Sequence, residues 1–165
     1  MGNGDNQNAE KHLRSGWGSM LEIFIRDSVS STIAAMAGGY VAGVADSWKF
    51  SPNWSLMNRA SGISLFVSIA ASLYANGQEN LKKMAQNQPG TYVLGRETPI
   101  NKAGIALPVF FFAASGSRWS GMGVLAGIIG AMAAMSAAPW ANTGIDIFTD
   151  MFLPGDPAGI KALGT

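Results

Sequence analysis

The stretch WSGMGVLAGIIGAMAAMSAAPWANTGI, from Trp119 to Ile145, contains no charged residue and repeats small residues at helical spacing. A helix of this length can cross the hydrocarbon core of a bilayer. Three further uncharged runs cover residues 28–45, 60–78 and 103–117, each with charged residues at both ends. The sequence therefore predicts a membrane protein of about four helices.

The composition is compatible with this prediction and excludes several other classes. Only 13% of the residues are charged, and the mean hydropathy of +0.18 stays low because Gly, Ala and Ser, the residues that pack helices closely in lipid, are abundant. The net charge of +1, spread over scattered Lys and Arg, gives no electrostatic basis for nucleic-acid binding. The absence of cysteine excludes disulfides, a thiol nucleophile and a thiolate metal site.

We predict an all-α fold, a small polytopic integral membrane protein with two transmembrane helical hairpins and an N-terminal amphipathic helix at the membrane interface. The segments are a polar and amphipathic stretch 1–26, a first hairpin 28–77, a polar loop 78–102, a second hairpin 103–141 and an acidic tail 142–165. In the alternative, the amphipathic stretch extends the first transmembrane helix. The run 103–117 is short and contains Pro108, so full crossing by this helix stays open.

The N-terminus allows a second interpretation. Small residues from Gly43 to Ala45 precede Asp46, as a signal peptidase requires, so a long cleaved leader ending at Ala45 is an alternative. The opening Met-Gly is a weak myristoylation signal, because position six is Asn6 rather than Ser or Thr.

Small residues are predicted to form the helix-packing faces. Two GxxxG pairs lie in uncharged runs, and three serines at four-residue spacing form a stripe whose hydroxyls can bond to backbone carbonyls or to a partner helix. The predicted packing residues are Gly39, Gly43, Ser64, Ser68, Ser72, Gly123, Gly127 and Gly130.

All five tryptophans lie at or just outside the ends of the proposed membrane spans, as in the aromatic belts of membrane proteins. They are Trp17, Trp48, Trp54, Trp119 and Trp140. Most basic residues lie in the N-terminal region and in the loop 78–102, so the positive-inside rule places both termini and that loop in the cytoplasm.

The sequence offers no catalytic constellation, and we expect neither enzymatic activity nor a cofactor or metal. His12, the sole histidine, lies in a polar stretch typical of solvated residues. The uncharged runs contain no carboxylate pair, which argues against a metal site and against an ion pump. The glycines from Gly121 to Gly127 lack the Lys-Ser/Thr ending of a phosphate-binding loop.

We therefore expect a non-catalytic structural subunit of a larger membrane-embedded assembly, such as a secretion or conjugation apparatus or a pilus-like polymer. Its partners would be the lipid bilayer and other subunits, either copies of itself or different proteins, in the bacterial inner membrane or an assembly derived from it. A holin-like pore-forming protein is the first alternative, although the C-terminal tail is acidic where holins are commonly basic. A soluble helical interaction protein is the second, because the uncharged runs are short and the mean hydropathy is low.

Overall fold

The computed structural model describes residues 16–87, 92–152 and 160–162. This part of the chain forms four helices, α1 (Gly16–Ser47), α2 (Trp54–Ala85), α3 (Pro99–Gly116) and α4 (Gly121–Phe152). Two short parallel strands, β1 (Tyr92–Leu94) and β2 (Ile160–Ala162), complete it. The prediction of an all-helical fold with about four helices is confirmed, whereas the strand pair was not predicted, because three residues are too few to show a period.

Local signals fix where the helices begin and end. Asn53 caps α2, its Oδ1 accepting a hydrogen bond from the Leu56 N–H at 3.1 Å. Thr98 caps α3 in the same way, and Pro99 follows in the first turn, where a missing N–H costs nothing. Arg118 and Trp119, both with φ above +45°, make the tight turn between α3 and α4.

Each helix runs antiparallel to the next. Asp27 and Ser31 of α1 lie against Ser72 and Ser68 of α2, respectively. Residue numbers therefore rise along α1 in the direction in which they fall along α2. The same order relates α1 to α4, where Arg26 contacts Asp146, while Gly38 packs against Ala134. We call the two ends of the bundle the Arg26 end, where the strands lie, and the Asp46 end, where Asp46 accepts a hydrogen bond from Ser117.

The interior of the bundle is small and partly polar, while its exterior is large and apolar. The buried apolar cluster is built mainly from alanines, with Leu56, Ile105 and Val109 among them. Large apolar side chains point outward on all four helices. They include Leu21, Ile25, Val29, Ile33, Phe66, Leu73, Leu107, Phe111, Leu125, Ile128 and Met132. This arrangement is the reverse of a water-soluble core.

Three of the four described helices, α1 from Met20 on, α2 and α4, are long and apolar enough to cross a membrane. The 18-residue α3 is not among them. The helices α1, α2 and α4 each have 32 residues and are thus about 48 Å long, whereas the hydrocarbon core of a bilayer is about 30 Å thick. This length is consistent with an integral membrane protein whose helices project beyond the lipid.

The helix bounds differ from the segments expected from charge alone. The described part of the N-terminal amphipathic stretch is the start of α1, which continues through Arg26 without a break. At the other end of the chain, α4 continues to Phe152 and carries Asp146 and Asp150, although these residues were predicted to lie in the acidic tail 142–165. Charged residues therefore end the uncharged runs without ending the helices. The predicted segment around His12 lies outside the described residues.

Candidate functional site

A cluster of charged side chains joins the two terminal helices at the Arg26 end. The Arg26 guanidinium donates to Glu22 Oε1 at 3.0 and 2.7 Å and to Asp146 Oδ1 at 3.0 Å, and it also donates to Asp150. Glu22 and Arg26 are both buried, whereas Asp150 is exposed. Because an unpartnered buried charge would be costly, these bonds hold α1 and α4 in register.

A second arginine extends this cluster to the segment that precedes α3. Arg96 donates from both terminal nitrogens to the two carboxylate oxygens of Asp146, at 2.9 and 2.6 Å. This bidentate geometry is the strong form of an arginine–carboxylate pair. Asp146 thus links two arginines that belong to separate segments of the chain.

Asp27 is fully buried and connects three segments. Its Oδ2 accepts hydrogen bonds from the Ser72 hydroxyl and the Gly95 N–H, both at 2.6 Å. The other oxygen, Oδ1, has no hydrogen-bond partner among the described residues. Gly95 lies so close to α2 that an added Cβ would be 2.5 Å from the Ser72 Cα. One carboxylate therefore fixes the β1–α3 segment against α1 and α2.

Hydroxyl and amide groups continue this polar layer toward the middle of the bundle. The Ser31 hydroxyl donates to Asn101 Oδ1 at 3.1 Å and lies 3.3 Å from the Ser68 hydroxyl. Ser64 donates to the Ser31 carbonyl at 3.1 Å. These side chains are buried, so the bonds satisfy groups that would otherwise be stranded in an apolar interior.

Strand β1 is held by a side chain rather than by the sheet alone. The Asn76 amide donates to the Val93 carbonyl and accepts from the Val93 N–H, both at 2.9 Å. The backbone of β1 is thereby bonded on one side to α2 and on the other to β2. These hydrogen bonds on both sides of β1 anchor the polar segment at the Arg26 end of the bundle.

The residues predicted to pack helices lie at contacts within one chain. Gly39 faces Leu56 and Met57 of α2, Gly43 faces Asn53, Gly127 faces Phe110 of α3, and Gly123 faces Ser117. Ser64, Ser68 and Ser72 are buried in the polar layer. Gly130 faces Ala42 and Gly38, so the small-residue faces contact the chain itself and do not by themselves indicate a partner.

The predicted interfacial tryptophans divide between the two ends. Trp48, Trp54 and Trp119 are exposed at the Asp46 end, and Trp140 is exposed on the second half of α4. Trp17 lies in the first turn of α1, and its side chain is not among those described.

The ionic cluster, Asp27 and Gly38 were not predicted from the sequence. One signal was present, because Leu21, Ile25, Val29 and Ile33 repeat every four residues along one face of α1. In lipid that face points outward, so the polar residues between its members, Asp27 and Ser31 included, point inward. The partners of Arg26 could not be found in this way, because Asp146 lies 120 residues away.

Among the described residues, no group of three or more His, Cys, Asp or Glu side chains could hold a metal ion. Comparisons with protein-family models, with curated proteins and with solved structures return no match.

Proposed function

We propose that the protein is a non-catalytic structural subunit of a larger membrane-embedded assembly, and that its four helices cross the membrane as two hairpins. The membrane placement is supported by the distribution of side chains, which is the reverse of that in a water-soluble protein. Large apolar residues cover the outside, while alanines, serines and bonded charges fill the inside. Lipid is the solvent that such a surface suits.

The depth of the bundle in the bilayer follows from its charges and tryptophans. Because the helices are antiparallel, the four uncharged runs overlap along most of their length, with charged residues toward both ends of the bundle. Trp140 lies 19 residues along α4 from Gly121, a distance of about 29 Å, which matches the thickness of the hydrocarbon core. The first turns of α1 then project beyond the hydrocarbon core, as the alternative of an extended first transmembrane helix requires.

The orientation follows from the basic residues. The Asp46 end carries Lys49, Arg59 and Arg118, whereas the remaining eight of the eleven Lys and Arg lie in segments of the Arg26 end or in the N-terminal stretch. By the positive-inside rule, the Arg26 end lies on the cytoplasmic side of a bacterial inner membrane. The short α3 would cross with its polar start covered by α2 and α4.

Two apolar hollows support a role in assembly. One, of about 360 Å³, lies between α1 and α4 and is lined by Trp48, Phe50 and Leu125. The other, of about 490 Å³, lies between α2 and α3 and is lined by Ile63, Leu107 and Phe111. Since α1 and α4 form the opposite side of the bundle from α2 and α3, neighbouring copies could pack side by side in a continuous array. A secretion or conjugation apparatus, or a pilus-like polymer, would use such contacts.

A cysteine cross-linking experiment tests this proposal in the natural cysteine-free background. Leu125→Cys places a thiol in the first hollow and Leu107→Cys places one in the second. We expect a ladder of cross-linked oligomers in membranes only when both cysteines are present in one chain, because side-by-side packing joins opposite faces. The control Leu81→Cys, exposed near the end of α2 and outside both hollows, should give none.

Further measurements separate the alternatives. Release of the protein by a carbonate wash without detergent would contradict the membrane placement and favour a soluble interaction protein. Absence of any cross-linked species together with a monomeric mass in detergent would contradict the structural role. Abrupt depolarisation of cells at modest expression, reported by a potential-sensitive dye, would favour the holin-like alternative, because a structural subunit should leave the membrane sealed.

A further inference from the structure

A small cavity of about 170 Å³ lies between the start of α3 and the second half of α4. Its polar wall includes Arg96, Glu97, Lys102 and Asn142, and its apolar floor includes Ile105 and Met135. Seven residues, or about 10 Å of helix, separate Asn142 from Met135 on α4. The cavity therefore changes from polar to apolar along the helix axis, as a bilayer does.

The depth of this cavity corresponds to the headgroup level in the proposed membrane placement, on which this inference rests. Lys102 directly precedes the uncharged run 103–117, and Asn142 lies three residues before the end of the run 119–145. Trp140, 81% exposed, lies at the same depth on α4. The cavity is also at the Arg26 end, where most of the basic residues lie, and basic pockets between transmembrane helices on that side commonly hold lipid headgroups.

Donors in the cavity wall remain available to a ligand. Arg96 uses two of its five N–H groups on Asp146, so three are left. Lys102 lies 3.0 Å from Glu97, but both side chains are more than 40% exposed, and such a pair is weak enough to be exchanged for another. The Asn142 side chain has no hydrogen-bond partner among the described residues.

We propose that this cavity binds the headgroup of an aminophospholipid of the phosphatidylethanolamine class. The phosphate accepts hydrogen bonds from Arg96, Lys102 and Asn142, while the primary ammonium donates to Glu97, and an acyl chain continues over Ile105 and Met135. Charge balance favours this class. The phosphatidylglycerol headgroup would face Glu97 without a cation of its own, and the quaternary ammonium of phosphatidylcholine has no N–H to donate.

Native mass spectrometry of the full chain in detergent tests the proposal, with phosphatidylethanolamine, phosphatidylglycerol and phosphatidylcholine of identical acyl chains. We expect phosphatidylethanolamine to bind most tightly. Lys102→Gln should weaken its binding about fivefold, the loss expected for one hydrogen bond of average strength. Glu97→Gln should remove the preference for phosphatidylethanolamine over phosphatidylcholine. The matched control Lys82→Gln removes an exposed basic residue at the same end, outside the cavity, and should change nothing.

Several results would overturn the proposal. Equal losses in Lys102→Gln and Lys82→Gln would show general surface attraction rather than a site, and tighter binding of phosphatidylglycerol would contradict the role of Glu97. Glycerophosphoethanolamine, which lacks acyl chains, should bind far more weakly, and equal binding would indicate a site for a soluble phosphate. Cross-linking and carbonate extraction do not depend on this cavity, so its failure leaves the proposed function intact, whereas carbonate release would remove the basis of both.

Discussion

At the scale of single residues, the polar interior depends on side chains that each serve several segments. Arg26 bonds to α1 and α4, Asp146 bonds to two arginines, and Asp27 joins α2 to the segment before α3. Such groups are expensive to bury and are tolerated only when bonded. Their bonds therefore favour one set of helix contacts. Alanine and glycine surfaces alone would distinguish poorly between alternative helix partners.

Substitution of Asp27 separates hydrogen bonding from charge. Asp27→Asn keeps an oxygen that accepts from Ser72 and Gly95 and removes a buried charge, but it places an amide N–H₂ where Oδ1 has no partner, so we expect a smaller loss of stability in detergent than for Asp27→Ala. Asp27→Ala leaves the Gly95 N–H buried without its acceptor, which should cost about 1–3 kcal/mol. Thermal unfolding followed by circular dichroism measures both variants. Equal destabilisation of the two would mean that the charge, and not the hydrogen bonds, is what Asp27 contributes.

At the scale of helices, the glycine pattern predicts close packing but not which helix packs where. The Gly39–Gly43 pair faces α2, whereas the neighbouring face of α1, with Gly38 and Ala42, meets Gly130 of α4. A GxxxG motif identifies a surface that a backbone can approach, and both faces of α1 satisfy this condition. Distant partners such as Arg26 and Asp146, which bond across α1 and α4, favour the observed arrangement.

A single methyl group tests the contact between α1 and α4. In Gly130→Ala, the new Cβ would lie 2.5 Å from the Ala42 Cβ and 2.8 Å from the Gly38 carbonyl oxygen, so the helices must separate. We expect a loss of about 1–3 kcal/mol in the free energy of unfolding. The control Gly62→Ala, at an exposed position in α2 with nothing within 4 Å of the new Cβ, should be neutral or slightly stabilising. The same loss in both variants would argue against this contact.

At the scale of the whole molecule, local patterns predict the elements, and long-range pairs complete the structure. The uncharged runs were sufficient to predict four helices, since length and charge are local properties. They could not predict that α4 continues past Asp146, because the Arg26 and Arg96 guanidinium groups that make a charged end of α4 favourable come from elsewhere in the chain. The contact between Asn76 and β1 could not be predicted for the same reason. It joins residues 17 apart in the sequence through side-chain hydrogen bonds, which leave no periodic pattern.

The proposed crossing makes a prediction about which residues face each side of the membrane. Ser55 and Ser120 lie at the Asp46 end, and Gln86 lies at the Arg26 end, all exposed. Gln86 serves better than its neighbour Asn87, whose φ of 52° is tolerated by Asn and strained for Cys. In intact cells, an impermeant maleimide should label Ser55→Cys and Ser120→Cys, while Gln86→Cys should react only after the membrane is opened.

The two hairpin turns report on separate helices, so the pattern of labelling identifies which part of the proposal fails. Ser55 reports on α1 and α2, which are each long enough to cross. Ser120 reports on α3 and α4, and α3 is the shorter helix, so protection of Ser120→Cys alone would mean that the second hairpin enters the bilayer without crossing it. The Ser117–Asp46 hydrogen bond joins the ends of α1 and α3. Because this bond places both turns at the same depth, we expect the two cysteines to react at similar rates.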